Sequence, residues 1–300
     1  MLSKAGIAPK FYGRFLNGRI EEFYSDSRPI KFSEMGASAP QCLSPDVRSG
    51  GYAWGIATSM AGLHSLSVPS GVCGTDRGDP PQILRQMAEW HGLAEGVDLA
   101  AFNEGQTDPT KKLRTSNIQD EWVWLRDTVL FPPPGPRNPN VGVKFSRDNV
   151  FTHLDCQSLN IMTSPLWGSD EIRLIDFEYA GFNPRGLDIA NTWLEHCDMN
   201  NLRPDYAGSF PSVGQQRFFL RRYCQECKVE EDLLNTNHFL EDLRRECLKF
   251  TLLSHLNWAL WSIIQHDNSE IKFDFLEYAA IRMQGYHEQK IGLNFDGVIE

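Results

Sequence analysis

The chain has 300 residues, which is enough to bury the core of one or two domains. Its apolar share of 41% and charged share of 23% are those of a globular protein and exclude a disordered one. Lys and Arg total 29 against 39 for Asp and Glu, and the resulting net charge of -10 argues against nucleic-acid binding and favours a small cationic substrate.

Cysteine usage and apolar runs bear on the compartment. The seven cysteines are scattered and odd in number, which favours reduced thiols over a disulfide framework. The first residues lack the apolar core of a signal peptide. The longest apolar run, 250–264, is interrupted by polar residues and is too short to span a bilayer. We therefore predict a cytoplasmic protein without a transmembrane segment.

The first predicted element is a β-hairpin. The runs Lys10–Phe15 and Arg19–Tyr24 flank Asn17-Gly18, the strongest short-range signal for a tight turn. Residues 34–52 are rich in Ser, Pro and Gly and are interpreted as a loop. From Tyr52 to Leu66 apolar residues recur at helical spacing and predict a helix.

The middle of the chain gives weaker signals. Helices are predicted for 82–90 and 118–130, and the rest of 69–149 is poorly defined. The prolines of 132–136 end the second helix, because proline donates no backbone hydrogen bond and blocks helix continuation. We interpret them as a linker or surface loop, with a docking motif as the alternative. Beyond residue 186, helical patterns cover 187–197, 214–227, 230–248, 249–266 and 273–290.

The segment 150–162 carries the strongest chemical signal. His153 stands two residues before Asp155, and Asn160 follows Asp155 by five residues. Asp176-Phe177 then comes at the end of an apolar strand. In phosphoryl transfer such an Asp accepts the proton of the substrate hydroxyl, while the Asn and the second Asp hold magnesium on the nucleotide phosphates. The spacing predicts an ATP-dependent kinase.

The strands on either side of Gly168 support this interpretation. Residues 160–162 and 172–175 are predicted to pair as a short hairpin, which would bring Asn160 and Asp176 together. Carboxylate and amide oxygens brought together in this way suit magnesium.

Further runs narrow the class of kinase. Ile175–Tyr179, Arg185–Asn191 and Ser254–Ser262 follow one another in the order typical of the choline/ethanolamine kinase family, which this chain resembles. Pro9–Gly13 and Gly18–Phe23 resemble the strand pair that leads into that family's nucleotide hinge. The resemblance is close over 150–290, apart from 198–240, and looser over 5–68.

The resemblance implies an α+β, protein-kinase-like fold with a β-rich small lobe, a hinge and a large, mainly helical lobe. We expect residues 1–33 to be a remnant of the N-terminal lobe and hinge, with only a hairpin left of the small lobe. Residues 34–300 would form the C-terminal catalytic lobe. A homodimer is left open.

The resemblance also implies roles for individual residues. Asp155 would be the catalytic base, Asn160 and Asp176 the Mg²⁺ ligands, and the backbone near Glu22 and Phe23 the binding site for the adenine of ATP. The residues expected to line or flank the alcohol pocket are Glu178, Tyr179, Glu195, Trp258, Trp261, Phe275 and Tyr278. The residues expected to support the site structurally are His153, Gln157, Arg185 and Asp188.

The tryptophans fit a cationic substrate. A quaternary ammonium group donates no hydrogen bonds and is recognised by aromatic faces and carboxylates. Trp258 and Trp261 are three apart and share one helical face. Taken alone, such a pair more often belongs to a core. Cys224-x-x-Cys227 lies in a helical pattern without a second ligand pair and is interpreted as structural.

The chain departs from the family pattern in two respects. Leu154 stands where the family usually has Asn, and Leu159 where it usually has Gly. There is no G-x-G-x-x-G, and Lys4 is too close to the hairpin to serve as the phosphate-binding Lys of a kinase strand. We expect an incomplete chain, with a degenerate, non-catalytic relative as the alternative.

These observations favour a choline kinase that makes phosphocholine, the entry step of phosphatidylcholine synthesis. Ethanolamine kinase, which would make phosphoethanolamine, is the first alternative. A pseudokinase-like binding protein is the second, motivated by the missing Gly-rich loop and Lys.

Overall fold

In a computed structural model of the protein, the described residues are 2–36, 51–69, 76–132, 140–236 and 238–293. Most of the secondary structure in these ranges is helical. The helices are α1 Ala53–His64, α2 Gln82–Ala94, α3 Ala100–Gly105, α4 Thr115–Trp124, α5 Val141–Arg147, α6 Arg185–Glu195, α7 Tyr206–Ser209, α8 Val213–Glu226, α9 Glu231–Leu234, α10 Phe239–Asn268 and α11 Phe275–Gly292. The strands are β1 Phe11–Phe15, β2 Gly18–Glu21, β3 Arg28–Pro29, β4 Asn149–Thr152, β5 Ile161–Thr163, β6 Arg173–Leu174 and β7 Gly181–Pro184. Most of the predicted loop 34–52 and of the prolines 132–136 lies outside the described ranges.

The N-terminal hairpin is present as predicted. Strands β1 and β2 pair antiparallel, and Phe15 opposes Gly18. The two turn residues are therefore Leu16 and Asn17, one residue earlier than the predicted Asn17-Gly18, and Gly18 is the first residue of β2. The hairpin exposes large apolar side chains, among them Phe11, Phe15 and Ile20.

A second small sheet connects the hairpin to the segment 150–178. Its strand order is β3-β5-β6, and both pairings are antiparallel. Arg28 of β3 opposes Thr163 of β5, and the Ile30 backbone N–H donates to the Ile161 carbonyl at 2.9 Å. Residues 28–30 are therefore fixed beside the strands that were predicted to carry Asn160 and Asp176.

Strands β4 and β7 form the third sheet and frame the loop 153–160. They pair antiparallel from Asn149↔Pro184 to Thr152↔Gly181. Helix α6 begins directly after β7, at Arg185. The loop that follows β4 thus lies beside the first turns of α6.

The long helix α10 is the centre of the helical body and corrects one prediction. The sequence pattern predicted separate helices at 230–248 and 249–266, whereas the structure has one 30-residue helix preceded by the short α9. No Gly or Pro occurs between Phe239 and Asn268, so nothing in the backbone interrupts the helix there. Helix α10 packs against α2, α5, α6 and α11.

Residues 69–149 are more ordered than the sequence pattern indicates. Helices α2 to α5 lie here, and α2 and α4 contribute Ile83, Met87, Ile118 and Trp122 to the core around α10. The predicted helix 118–130 begins earlier, at Thr115, and its last turns, Leu125–Leu130, are a π-helix.

The described helices are all too short or too polar to cross a bilayer. Cys224 lies in α8 and Cys227 directly follows it, and both are free thiols.

Candidate active site

The loop after β4 is held by a buried carboxylate of α6. The backbone N–H groups of His153 and Leu154 donate to the two carboxylate oxygens of Asp188, at 2.7 and 2.8 Å. Leu154 has a φ of 62°, a left-handed conformation that is unfavourable for a residue with a branched side chain. The two bonds from Asp188 stabilise this turn and so fix the position of Asp155.

Asp188 is itself anchored by a chain of buried polar groups. His64 of α1 contacts the Asp188 carboxylate through Nε2 at 2.9 Å, and its Nδ1 lies 2.6 Å from the Tyr223 hydroxyl. Arg185 Nη1 donates to the same hydroxyl at 3.1 Å. Burial lowers the pKa of His64, so the ring is neutral, donates from Nε2 and accepts at Nδ1.

His153 supports the loop from within, as predicted for a structural residue. Its Nε2 lies 2.9 Å from the Ile175 carbonyl, and its Nδ1 accepts the Asp155 backbone N–H at 3.3 Å. The ring packs on Phe177 with 4.7 Å between the ring centroids. Burial lowers the pKa of His153, so its imidazole ring is neutral. The ring links the loop 153–160 to the chain just after strand β6.

Asp155 accepts two side-chain hydrogen bonds on one oxygen. Asn160 Nδ2 donates to Oδ2 at 2.7 Å and also to the Asp155 carbonyl at 2.9 Å. Gln157 Nε2 reaches the same Oδ2 at 3.3 Å. The Gln157 amide is oriented in turn by Asn200, whose Nδ2 donates to its Oε1 at 2.6 Å.

Strands β5 and β6 bring Asn160 and Asp176 together, as predicted. Ile161 opposes Leu174, and the Ile175 backbone N–H donates to the Asn160 carbonyl at 3.0 Å. Asp176 follows with a φ of 61°, which turns the chain sharply away from the strand. The exposed Asp176 side chain and the buried Asn160 thus lie at the same end of this strand pair.

A cavity of about 470 Å³ opens beside Asp155. Four carboxylates line it, those of Asp155, Asp176, Glu178 and Glu195. Six aromatic rings also line it, those of Tyr179, Trp258, Trp261, Phe273, Phe275 and Tyr278. Carboxylates combined with aromatic faces are the surroundings that recognise an organic cation.

The aromatic rings form a connected cluster. Trp258 packs edge-on against Tyr179 and Trp261, with centroid distances of 5.2 and 5.5 Å. Trp261 Nε1 donates to the Tyr179 hydroxyl at 2.9 Å, and Trp258 Nε1 donates to Asn191 Oδ1 at 2.8 Å. Both indole N–H groups are therefore satisfied within the protein, and both rings line the cavity.

The cavity shifts the acidity of its carboxylates. Burial raises the pKa of Asp155 to about 7, against the opposing hydrogen bonds from Gln157 and Asn160. Burial likewise raises the pKa of Glu195 to about 8. A bound cation would favour the charged form of both groups.

The donor set near Asp155 fits magnesium. Asn160 uses its Nδ2 to hold Asp155, so its Oδ1 is the atom that would bind a metal, and Asp176 would supply a carboxylate. In the described ranges no group of three or more His, Cys, Asp and Glu side chains surrounds a common point. Magnesium commonly takes one or two protein ligands and completes its shell with phosphate and water, so two protein ligands suffice.

The structure brings most of the predicted site residues to one cavity. Asp155, Gln157, Asp176, Glu178, Tyr179, Glu195, Trp258, Trp261, Phe275 and Tyr278 line it. Asn160, His153, Asp188 and Arg185 lie behind this lining and hold it through the contacts described above. Glu22 and Phe23 do not line the cavity; they lead from β2 towards β3, and Phe23 is exposed.

Several residues of the site were missed. Asn200, Gln265, Ser269, Ile271 and Phe273 also line the cavity. His64 and Asn191 hold Asp188 and Trp258, respectively. Phe273 could have been found from its spacing to Phe275, since the two rings pack at 5.1 Å. His64 and Asn200 have no local signal, because their partners are more than 40 residues away in sequence.

The small sheets, the braced loop and the helical body together define a protein-kinase-like fold. Two solved structures share it: a choline kinase from Cryptosporidium parvum, with a TM-score of 0.72 and 24% identity over 99% of this chain and 77% of that one, and an ethanolamine kinase from Plasmodium vivax, with a TM-score of 0.68 and 22% identity over 96% and 71%. The predicted fold class is confirmed.

Within this class the chain belongs to the choline/ethanolamine kinase family. The family model for choline/ethanolamine kinase matches residues 1–287. A choline/ethanolamine kinase of Rattus norvegicus is 32% identical over 97% of this chain. The chain spans 66% of the length of that relative. The predicted family is therefore confirmed.

Proposed function

We propose that the protein is an ATP- and magnesium-dependent phosphotransferase that converts choline to phosphocholine, the entry step of phosphatidylcholine synthesis. The observation that carries the proposal is the cavity that Asp155 lines together with three further carboxylates and six aromatic rings. A quaternary ammonium group would rest against the rings, while the hydroxyl end of the substrate would lie at Asp155.

Asp155 would act as the general base. Both side-chain donors bind its Oδ2, and within the described ranges no donor reaches Oδ1. Oδ1 is therefore the oxygen available to the substrate hydroxyl. A pKa of about 7 is suited to proton transfer at neutral pH.

Asn160 Oδ1 and the Asp176 carboxylate would hold magnesium. When bound, the ion would neutralise charge on the nucleotide phosphates as the phosphoryl group moves. We assign the adenine to the backbone of Glu22 and Phe23, because β3 fixes this segment beside β5 and β6. The predicted division into residues 1–33 and 34–300 would then place the adenine contacts in the first part, and the magnesium ligands, the base and the alcohol cavity in the second.

Ethanolamine is the second candidate substrate. The relatives include proteins named for either alcohol, among them a probable ethanolamine kinase A of Dictyostelium discoideum and a choline kinase alpha of Mus musculus. A primary ammonium group needs hydrogen-bond acceptors, which the four carboxylates also offer. We favour choline because six aromatic rings line the cavity, and aromatic faces bind a trimethylammonium group, which donates no hydrogen bonds.

The test is phosphate transfer from radiolabelled ATP, with magnesium, to choline or ethanolamine. We expect kcat/KM to be higher for choline. A higher value for ethanolamine would reverse the substrate assignment. Binding of both ligands without transfer to either would instead support a non-catalytic binding protein.

A further inference from the structure

Arg173 of β6 packs against two aromatic rings. Its guanidinium carbon lies 4.2 Å from the ring centroid of Trp167 and 4.9 Å from that of Tyr24. The two rings also pack edge-on against each other, with 5.4 Å between their centroids. A guanidinium group is attracted to aromatic faces at such distances, so the three side chains stabilise one another.

The three side chains come from separate parts of the chain. Tyr24 belongs to the link 22–27 between β2 and β3, Trp167 to the turn between β5 and β6, and Arg173 to β6 itself, opposite Met162 of β5. Of the described residues that line the alcohol cavity, none belongs to this cluster. The cluster therefore attaches the link to the β5–β6 strand pair from outside the alcohol site.

The cluster lies between the segments that we assign to the two ends of ATP. Strand β5 begins directly after Asn160, and Asp176 follows Arg173 by three residues. On the other side, Tyr24 directly follows Phe23, whose backbone we assign to adenine. The pairing of β3 with β5 begins only at residue 28, whereas the ring of Tyr24 attaches the chain one residue from Phe23.

The ring contacts, more than ion pairing, account for this attachment. Arg173 Nη2 also donates to Glu171 Oε1 at 3.2 Å. The side chains of Arg173 and Glu171 are 34% and 46% exposed, and an ion pair exposed to this extent contributes little to stability. On the link itself, Ser27 Oγ donates to the Tyr24 carbonyl at 2.7 Å and orders the backbone that carries the ring.

We propose that Arg173 is a positioning residue for the nucleotide: through Tyr24 and Trp167 it holds the adenine-binding link at a fixed place relative to the strand pair that leads to the magnesium ligands. The proposal rests on the proposed function, because it uses the sites assigned there to adenine and to magnesium. It gives a role in ATP binding to a side chain that lies outside both sites.

Such an attachment acts on ATP because ATP has to reach both sites at once. A link that moves relative to the strand pair is in the binding position for only part of the time, and the apparent affinity falls in proportion to that fraction. If the released link is correctly placed in about one third to one tenth of the molecules, ATP binds about three- to tenfold more weakly. Choline, which binds within the alcohol cavity, is not affected.

Arg173→Thr tests the proposal, because it removes the guanidinium group and keeps a residue type that favours strands. We expect calorimetry with magnesium to show about three- to tenfold weaker ATP binding and choline binding equal to that of wild type. In transfer assays the KM for ATP should rise by a similar factor, with the KM for choline unchanged. Equal ATP affinity in Arg173→Thr and wild type would overturn the proposal. An equal loss of affinity for ATP and for choline would also overturn it, since that result indicates a general disturbance.

Three further variants separate the ring contacts from the ion pair. Trp167→Leu removes the aromatic face and should weaken ATP binding as Arg173→Thr does, whereas Trp167→Phe keeps a ring and should retain most of the affinity. Glu171→Gln removes the ion pair alone and should bind ATP as wild type does. A loss in Glu171→Gln as large as that in Arg173→Thr would refute the ring contacts as the cause. If Arg173→Thr does not fold, wild-type ATP affinity in Trp167→Leu overturns the proposal.

A measurement without ligand distinguishes this proposal from the proposed function. Backbone ¹⁵N relaxation at Phe23 and Tyr24 reports whether the link is held. We expect order parameters near the rigid value of about 0.85 in wild type, falling towards about 0.6 in Arg173→Thr. Unchanged order parameters would overturn the proposal whether or not ATP binds. Failure of wild type to bind ATP would overturn the proposed function, and the relaxation data would still decide whether Arg173 holds the link.

Discussion

At the scale of single residues, Asp155 has two unequal oxygens. Oδ2 accepts from Asn160 and Gln157, whereas Oδ1, the oxygen proposed to meet the substrate hydroxyl, accepts from no donor of the described chain. This arrangement orients a base without neutralising it. Burial raises the pKa of Asp155 to about 7, although the two hydrogen-bond donors favour the charged carboxylate and so oppose this rise.

Asp155→Asn should remove the base and keep the shape of the site. We expect kcat to fall about 10²–10⁴-fold, the range for loss of a positioned general base. The dissociation constant for ATP should change little, because Asp155 is not assigned to the nucleotide. Radiolabel transfer and equilibrium binding measure the two quantities. Wild-type turnover in this variant would refute the assignment of Asp155.

The residues of the site differ in how far the sequence predicts them. Asp155, Asn160 and Asp176 follow from local spacing, since they lie in one loop and the strand pair after it. Phe275 and Tyr278 could be assigned to the site only from the family resemblance, because aromatic residues on a helix more often belong to the core. Asn200 could not be predicted, because its contact with the cavity lining is to Gln157, which is 43 residues away in sequence.

At the scale of elements, the proposed binding of adenine by the link from β2 to β3 depends on the backbone of that link. Phe23 is 89% exposed, so its side chain contributes little to stability. If its N–H binds adenine, Phe23→Pro removes a donor while Phe23→Ala keeps it.

We expect Phe23→Pro to weaken ATP binding about three- to tenfold, which corresponds to one hydrogen bond of about 0.5–1.5 kcal/mol. Phe23→Ala is the matched control and should bind ATP as wild type does, as calorimetry with ATP and magnesium can measure. Equal affinities in the two variants would place adenine elsewhere.

Helix α1 contributes to holding the loop 153–160, because His64 contacts Asp188. The ring links Asp188, which holds the loop, to Tyr223 of α8, so three helices meet at one set of buried hydrogen bonds. The sequence predicted the helix near 52–66 but not this contact, because a lone histidine near a helix end carries no signal for a partner 124 residues away.

His64→Phe should therefore destabilise the whole protein. It removes a hydrogen bond to a buried carboxylate, and such bonds are worth about 1.5–3 kcal/mol. The free energy of unfolding in urea should fall by that amount. Tyr223→Phe, which leaves the His64–Asp188 contact intact, should cost less. A urea unfolding midpoint for His64→Phe equal to that of wild type would contradict the proposal that the His64–Asp188 contact stabilises the protein.

At the scale of the whole molecule, buried ionisable groups make stability depend on pH in opposing directions. His64, His153, His196 and His255 are buried with lowered pKa values, so below their ordinary value of 6.5 the unfolded chain binds protons that the native protein does not. Their stabilisation is present above pH 6.5 and is lost as pH falls. Asp155 and Glu195 have raised pKa values and act in the opposite sense, stabilising the native protein as pH falls from about 8.

The contribution of His196 to the pH dependence of stability can be measured separately. Burial lowers its pKa to about 4, so its contribution is complete above pH 6.5 and is lost progressively as pH falls towards 4. Each such group changes the free energy of unfolding by up to about 1.4 kcal/mol per pH unit in that window.

In His196→Gln we therefore expect the slope of unfolding free energy against pH, between pH 6 and 4.5, to decrease by close to one proton relative to wild type. Urea unfolding at half-unit pH intervals measures both slopes. His266→Gln is the matched control, because His266 lies near the exposed end of α10 and its replacement leaves the buried surroundings of His196 unchanged. Identical slopes for His196→Gln and wild type would mean that His196 is charged in the native protein, against the burial that surrounds it.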